Sequence, residues 1–154
     1  MDAFTARSAG HPIHVSYMDS GAGQTMIALG ATAVPGTVQS CAIDVEGIGG
    51  EIRIRQIATS DLLVLTSRKR EVILRIPNSL QTPGAHSLLS LSQIQMQPGV
   101  KVSLRNEDPY IDVENFRIPL SLENGTFPLS FQVLAHDDPR KLKLPILQIA
   151  PAGE

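Results

Sequence analysis

The chain has no tryptophan, only 4% aromatic residues and a single cysteine, Cys41. One thiol can form neither an intramolecular disulfide framework nor a thiolate zinc cluster. Few rings are available for bases to stack on, and the 13 basic residues are scattered through a chain of formal charge −2. Nucleic acid is therefore not expected as the main partner, because phosphate binding needs a basic stripe with aromatics beside it. No apolar run approaches the roughly 18 residues of a membrane-crossing helix. The opening MDAFTARSAGHPIH has no apolar core of the kind a secretory signal carries. The expectation is an intracellular, cytoplasmic protein with no membrane partner.

What remains is globular. Hydrophobic residues make up 42% and charged residues 18% of 154 positions, enough for one ordinary domain or a small domain with an extension. Apolar and polar residues alternate in GVKVSLR (Val100, Val102, Leu104), EIRIR (Ile52, Ile54) and EVILRI (Val72, Leu74, Ile76), the period of half-buried strands. Turn chemistry separates them: VPGT, GIGG, QTPG, QPG, NEDP, ENGT and HDDP. Eleven prolines and 12 glycines fit many short strands and fit long helices poorly. The pattern predicts an all-β fold. AHSLLSLSQIQM reads equally as helix or strand, because Leu88, Leu91 and Ile94 share a helical face while Leu89 and Leu91 alternate.

FRIPLSLENGTFPLSFQV predicts a hairpin over 116–134. About an Asn124-Gly125 tip, Leu122 faces Phe127, Leu120 faces Leu129, Ile118 faces Phe131 and Phe116 faces Val133, all on one side. A two-residue loop would aim the missing amides of Pro119 and Pro128 at the opposite strand. A four-residue loop, ENGT, turns both prolines outward and is the expected form. Asn124-Gly125-Thr126 also fits a glycosylation acceptor, but without a secretory signal the turn reading prevails.

Candidate chemistry begins at YMDSGAGQT. The strand-like run of Ile13, Val15 and Tyr17 ends in Asp19-Ser20-Gly21-Ala22 and resumes at Met26. Residue frequencies place a D-[ST]-G in about one chain in ten of this length, so the triplet alone reads as a turn. Downstream, VEGIGGEIRIRQ places a glycine-rich tip before an alternating strand, as in a plain hairpin or a mobile lid. His11 and His14, three apart on a strand, face opposite ways and make no metal pair. Asn106-Glu107-Asp108 and His136-Asp137-Asp138 each precede proline and read as turns. Arg68-Lys69-Arg70 reads as a solvated loop tip. No metal and no cofactor is expected.

Together these segments resemble the retropepsin family of aspartic proteases, and in particular the protease region of copia-type retrotransposon polyproteins. Asp19-Ser20-Gly21-Ala22 resembles the catalytic D-[ST]-G-A. Gly47-Ile48-Gly49-Gly50, followed by Glu51 to Arg55, resembles the flap tip and its returning strand. Pro83-Gly84-Ala85-His86-Ser87-Leu88-Leu89-Ser90-Leu91-Ser92-Gln93-Ile94 is similar to the "VPG…NLLSVSQL" stretch of copia elements. The likeness covers about residues 12 to 97. The chain departs from the pattern in Ser87, in Gly23-Gln24-Thr25 after the D-S-G-A, and in a lengthened segment from Pro77 to Pro83.

The resemblance implies a retropepsin-like closed β-barrel or sandwich over 1–97, with one short helix near 86–96. A β-rich C-terminal extension over 98–154, which contains the hairpin, follows. It implies an aspartic endopeptidase active as a homodimer, since each chain carries one D-S-G. Its substrate would be a peptide or a retroelement polyprotein. Asp19, Ser20 and Gly21 would be catalytic, one Asp19 coming from each chain; Ala22, Gly47, Ile48, Gly49 and Gly50 would bind substrate. Two such carboxylates about 3 Å apart cannot both ionise and share one proton. The other class of function compatible with the sequence is a non-catalytic β-rich assembly module that self-associates.

Overall fold

The computed structural model describes residues 13–19, 22, 24–28, 33–47, 50–82, 87–134 and 137–149. The structure is mainly β, as the short alternating runs predict. Among the described residues there are eleven strands: β1 (Ile13–Asp19), β2 (Met26–Ala28), β3 (Gln39–Gly47), β4 (Gly50–Leu65), β5 (Glu71–Thr82), β6 (Ser87–Ser90), β7 (Lys101–Ser103), β8 (Tyr110–Val113), β9 (Phe116–Pro119), β10 (Pro128–Gln132) and β11 (Ile146–Gln148). A short helix, α1 (Leu91–Gln95), follows β6, and a 3₁₀ turn spans Pro139–Leu142.

Eight strands form one sheet in the order β11-β5-β2-β6-β1-β10-β4-β3, and β7, β8 and β9 form a second. In the larger sheet β4 also pairs with β5. The neighbours β5, β2, β6, β1, β10 and β4 therefore make a closed circuit. β1 runs parallel to β6 and antiparallel to β10. Ile27, Leu62, Val64, Val72, Leu74, Ile76, Leu89, Leu129 and Phe131 share one buried cluster with Ile111, Val113 and Ile118 of the smaller sheet. Residues on both sides of position 97 thus fill the same core.

The lower halves of β4 and β5 are covered on both faces. Leu62 and Val64 enter the main cluster, while Leu63 and Ile73 pack with Leu134 on the opposite face. Burial on two sides explains why DLLVL and EVIL read as continuous apolar runs there. Between these strands Asp61 and Arg75 face each other in register and join through two bonds of 2.8 Å. Lys141, on the 3₁₀ turn, stands 3.6 Å from the same carboxylate. The β4–β5 connection is a tight turn in which Thr66 Oγ1 accepts from the amides of Arg68 and Arg70, leaving Arg68, Lys69 and Arg70 exposed as expected.

The ambiguous leucine segment is both states in succession. Ser87–Ser90 is strand, and the helix then runs only over Leu91–Gln95, shorter than the span 86–96. Leu88 and Leu89 alternate between two clusters, as strand residues do. Helix begins where Ser90 caps it, its side chain accepting from Gln93 N.

The hairpin over 116–134 is corrected by the structure. Its tip holds: Glu123 and Thr126 exchange two bonds of 3.0 and 2.9 Å around Asn124 (φ 50°) and Gly125 (φ 78°). Positive φ at both centres makes a two-residue turn of type I′, not the four-residue loop. Ser121 N still reaches Pro128 O at 3.1 Å, but beyond it the arms part. β9 pairs with β8, and β10 pairs with β1 and β4. The two-residue turn aims Pro119 and Pro128 at the opposite arm, so successive pairs each lack a donor and cannot hold a ladder. Leu120 N bonds Pro109 O instead, and Met18 N takes Phe127 O.

Candidate functional site

Asp19 is the last residue of β1, a strand with a neighbour on each side, and stands opposite Ser90 in the parallel β1–β6 ladder. A loop then returns the chain to β2. Ser20 and Gly21 lie outside the described residues; the return side, Ala22 and Gln24 to Thr25, is tethered to β6 and α1. Ser90 Oγ donates to Ala22 O at 2.6 Å, and Ser92 Oγ lies 3.4 Å from the same carbonyl. Ser90 N donates to Thr25 Oγ1, and Thr25 N donates to Gln93 Oε1, both at 3.1 Å. Leu80 N reaches Thr25 O at 2.9 Å.

Thr25, Ser90 and Gln93 are each fully buried, at 0% exposure, so these bonds form away from water, where a missing partner is costly. Ser90-Leu91-Ser92-Gln93 has the S-x-x-Q order of a capping box. Here the box is opened. Ser90 Oγ accepts from Gln93 N at 3.1 Å, but the Gln93 side chain turns to Thr25 instead of back to Ser90 N. Thr25 supplies the acceptor that Ser90 N needs. The helix cap and the loop after Asp19 are one network.

The glycine-rich segment is the turn of the β3–β4 hairpin. Gly47 pairs with Gly50; Ile48 and Gly49 between them lie outside the described residues. Gly50 has φ +107°, a conformation that L side chains rarely adopt, and a Cβ there would meet nothing within 4 Å. The backbone angle, not space, calls for glycine. Below the tip the two faces differ. Asp44, Glu46, Glu51, Arg53 and Arg55 are exposed, with Arg53 bound to Asp44 at 2.9 and 3.3 Å. Cys41, Ile43, Val45, Ile52 and Ile57 form the other face and pack with Ile54 against Met26, Leu80 and Leu88.

That packing fixes which side of the sheet the hairpin covers. Leu88 is paired with Tyr17, so both project to the hairpin side. Side chains two apart on a strand share a face, which puts Asp19 on the same side as Tyr17. Met18, between them, packs into the main core on the other side. Asp19 and the apolar face of the β3–β4 hairpin thus lie on the same side of the larger sheet.

The alternation and the glycine motifs did not point to Thr25, Ser90, Ser92 or Gln93 as site residues. The available signal was the S-x-x-Q order at 90–93. Among the described residues no group of three or more His, Cys, Asp or Glu could hold a metal ion, and no helix is long and apolar enough to cross a membrane. His14 stacks on Phe131 with ring centroids 5.6 Å apart. The chain matches no known family model, no curated protein and no solved structure.

Proposed function

We propose that the chain is one half of an aspartic endopeptidase of retropepsin type, which hydrolyses peptide bonds as a homodimer and processes a retroelement polyprotein. One observation carries this reading. Asp19 ends a strand that is paired on both sides, its loop is anchored by a buried network, and a two-stranded hairpin covers the same sheet face. A closed circuit of strands with one short helix supports a retropepsin-like barrel as the frame.

Each chain has one D-S-G, so a two-carboxylate site takes its second Asp19 from a second copy across a two-fold axis. The pair shares a proton. The ionised Asp19 draws a proton from a bound water as that water attacks the scissile carbonyl, and the protonated Asp19 polarises the carbonyl oxygen. Ser20 ties the two loops together, with a hydroxyl that both donates and accepts. Gly21 lets the loop turn tightly. Ala22 and the hairpin tip, Gly47, Ile48, Gly49 and Gly50, hold an extended peptide over the carboxylates through strand-like backbone bonds.

The test is to incubate the purified protein with a diverse peptide mixture between about pH 4 and 7, beside Asp19→Asn. Wild type cleaves and Asp19→Asn does not. Equal cleavage by both overturns the role of Asp19. No cleavage by wild type over that range returns the chain to the non-catalytic assembly class.

A further inference from the structure

The stretch from Pro77 to Pro83, longer than the copia pattern, has a structural counterpart in β5. Ala58 pairs with Ser79 and Ser60 with Ile76, so Pro77 and Asn78 together oppose the single Thr59. This is a β-bulge, the device by which a strand re-aims its polar groups. Asn78 takes φ 54°, a left-handed conformation that asparagine tolerates, and Ser79 Oγ closes the bulge on Ile76 O at 3.0 Å.

Two carbonyls leave the β4 ladder as a result, and both accept from side-chain amides. Pro77 O accepts from Gln93 Nε2 at 3.1 Å, and Asn78 O from Gln24 Nε2 at 2.6 Å. Gln93 is the junction. Its Oε1 holds Thr25 N at 3.1 Å while its Nε2 holds the bulge. The orientation of this carboxamide follows from chemistry, because Thr25 N can only donate and Pro77 O can only accept. Glutamate would lose the donor, and an isosteric thioether would lose both bonds.

We propose that Gln93 is a positioning residue for the Asp19 loop, bracing it against the Pro77–Asn78 bulge of β5. The inference rests on Asp19 being the catalytic carboxylate. The loop is then clamped from two sides, by β6 and α1 through Ser90 and by β5 through Gln93 and Gln24. Gln93 touches neither substrate nor the reacting atoms. It sets the height of Thr25, and through it the return side of the loop, relative to the sheet.

The experiment compares wild type with Gln93→Met, Gln93→Glu, Gln24→Met and Asn78→Gly, as full-length chains, on the peptide that wild type cleaves best. Small misplacement of reacting groups is felt in turnover, so Gln93→Met and Gln93→Glu lower kcat about 10- to 100-fold while KM stays within about threefold. Asn78→Gly, which keeps the positive φ and the carbonyl, retains wild-type kcat. Amide hydrogen exchange read by NMR shows Thr25 N–H less protected in Gln93→Met, with the amides of β4 unchanged. Wild-type kcat and wild-type Thr25 protection in Gln93→Met overturn the proposal, whatever Asp19→Asn does. If wild type cleaves no peptide, the catalytic reading fails separately. Thr25 exchange then decides the brace alone, faster exchange in Gln93→Met supporting it and unchanged exchange overturning it. Should Gln93→Met not fold, Gln24→Met carries the same reading with a kcat drop of about threefold, one surface hydrogen bond's worth; unchanged kcat in that variant overturns the proposal.

Discussion

Ser90 N–H donates to Thr25 Oγ1 at 3.1 Å, joining the residue that caps α1 to the end of the loop that carries Asp19. Both residues are fully buried. Thr25→Val keeps the shape and removes the acceptor, leaving a buried amide unpaired. The expected loss is about 2 kcal/mol, read from the urea midpoint at an unchanged slope. Thr25→Ser restores most of it, because the hydroxyl is what Ser90 N requires.

Asp61 is 1% exposed and is held by Arg75 and Lys141. Removing Asp61 leaves Arg75, whose side chain is 28% exposed, without its carboxylate, so Asp61→Ala is expected to cost about 1–3 kcal/mol. Thermal melting checks this. The Asp61 hydrogen bond, working against burial, raises the Arg75 pKa above its ordinary value. A raised folded-state pKa means the stabilisation is complete below the ordinary arginine value and fades only as pH climbs through the raised one. Between about pH 7 and 10 this pair contributes no loss of stability, since arginine stays charged throughout.

Gly50 holds φ +107° at the end of the β3–β4 turn. An alanine there is strained by about 1–3 kcal/mol, and the strain falls on a hairpin end that pairs with β3 alone. Gly50→Ala should speed amide exchange along 43–53 and move the global melting point little. Equal exchange in mutant and wild type would show that the turn adapts at no cost. On the proposed function the same variant turns over peptide more slowly, because a displaced tip holds the substrate less well.

A site built from two chains makes a quantitative claim about mixtures. On the proposed function, wild type and Asp19→Asn, unfolded together and refolded at varied ratios, form homodimers and heterodimers at random. If both carboxylates are needed, activity falls as the square of the wild-type fraction. A linear fall would mean that each chain works alone.

Local patterns made the strands of β4 and β5 legible, along with the turn at Asn124-Gly125. Alternation and turn residues are short-range signals, and these elements are defined by short-range contacts. What escaped were choices of partner. FRIP and PLSFQ each alternate correctly, yet β9 pairs with β8 and β10 with β1, because two prolines removed the donors that would have joined them. The brace on the loop was hidden for a related reason. Ser90, Ser92 and Gln93 look like the polar positions of any amphipathic segment until the parallel β1–β6 ladder brings them beside Ala22 and Thr25.

The position of β1 in the circuit has a consequence for the order of biosynthesis. Its antiparallel partner is β10, and Ser16 meets Leu129 across a separation of 113 positions. A ribosome adds these residues one at a time, at about 5–20 per second. For several seconds the nascent chain holds Asp19 on a strand with one flank open. Distant pairings also close slowly once available. β1 therefore waits for its antiparallel neighbour until the 113 positions that separate Ser16 from Leu129 have been made, and the fold itself sets that delay.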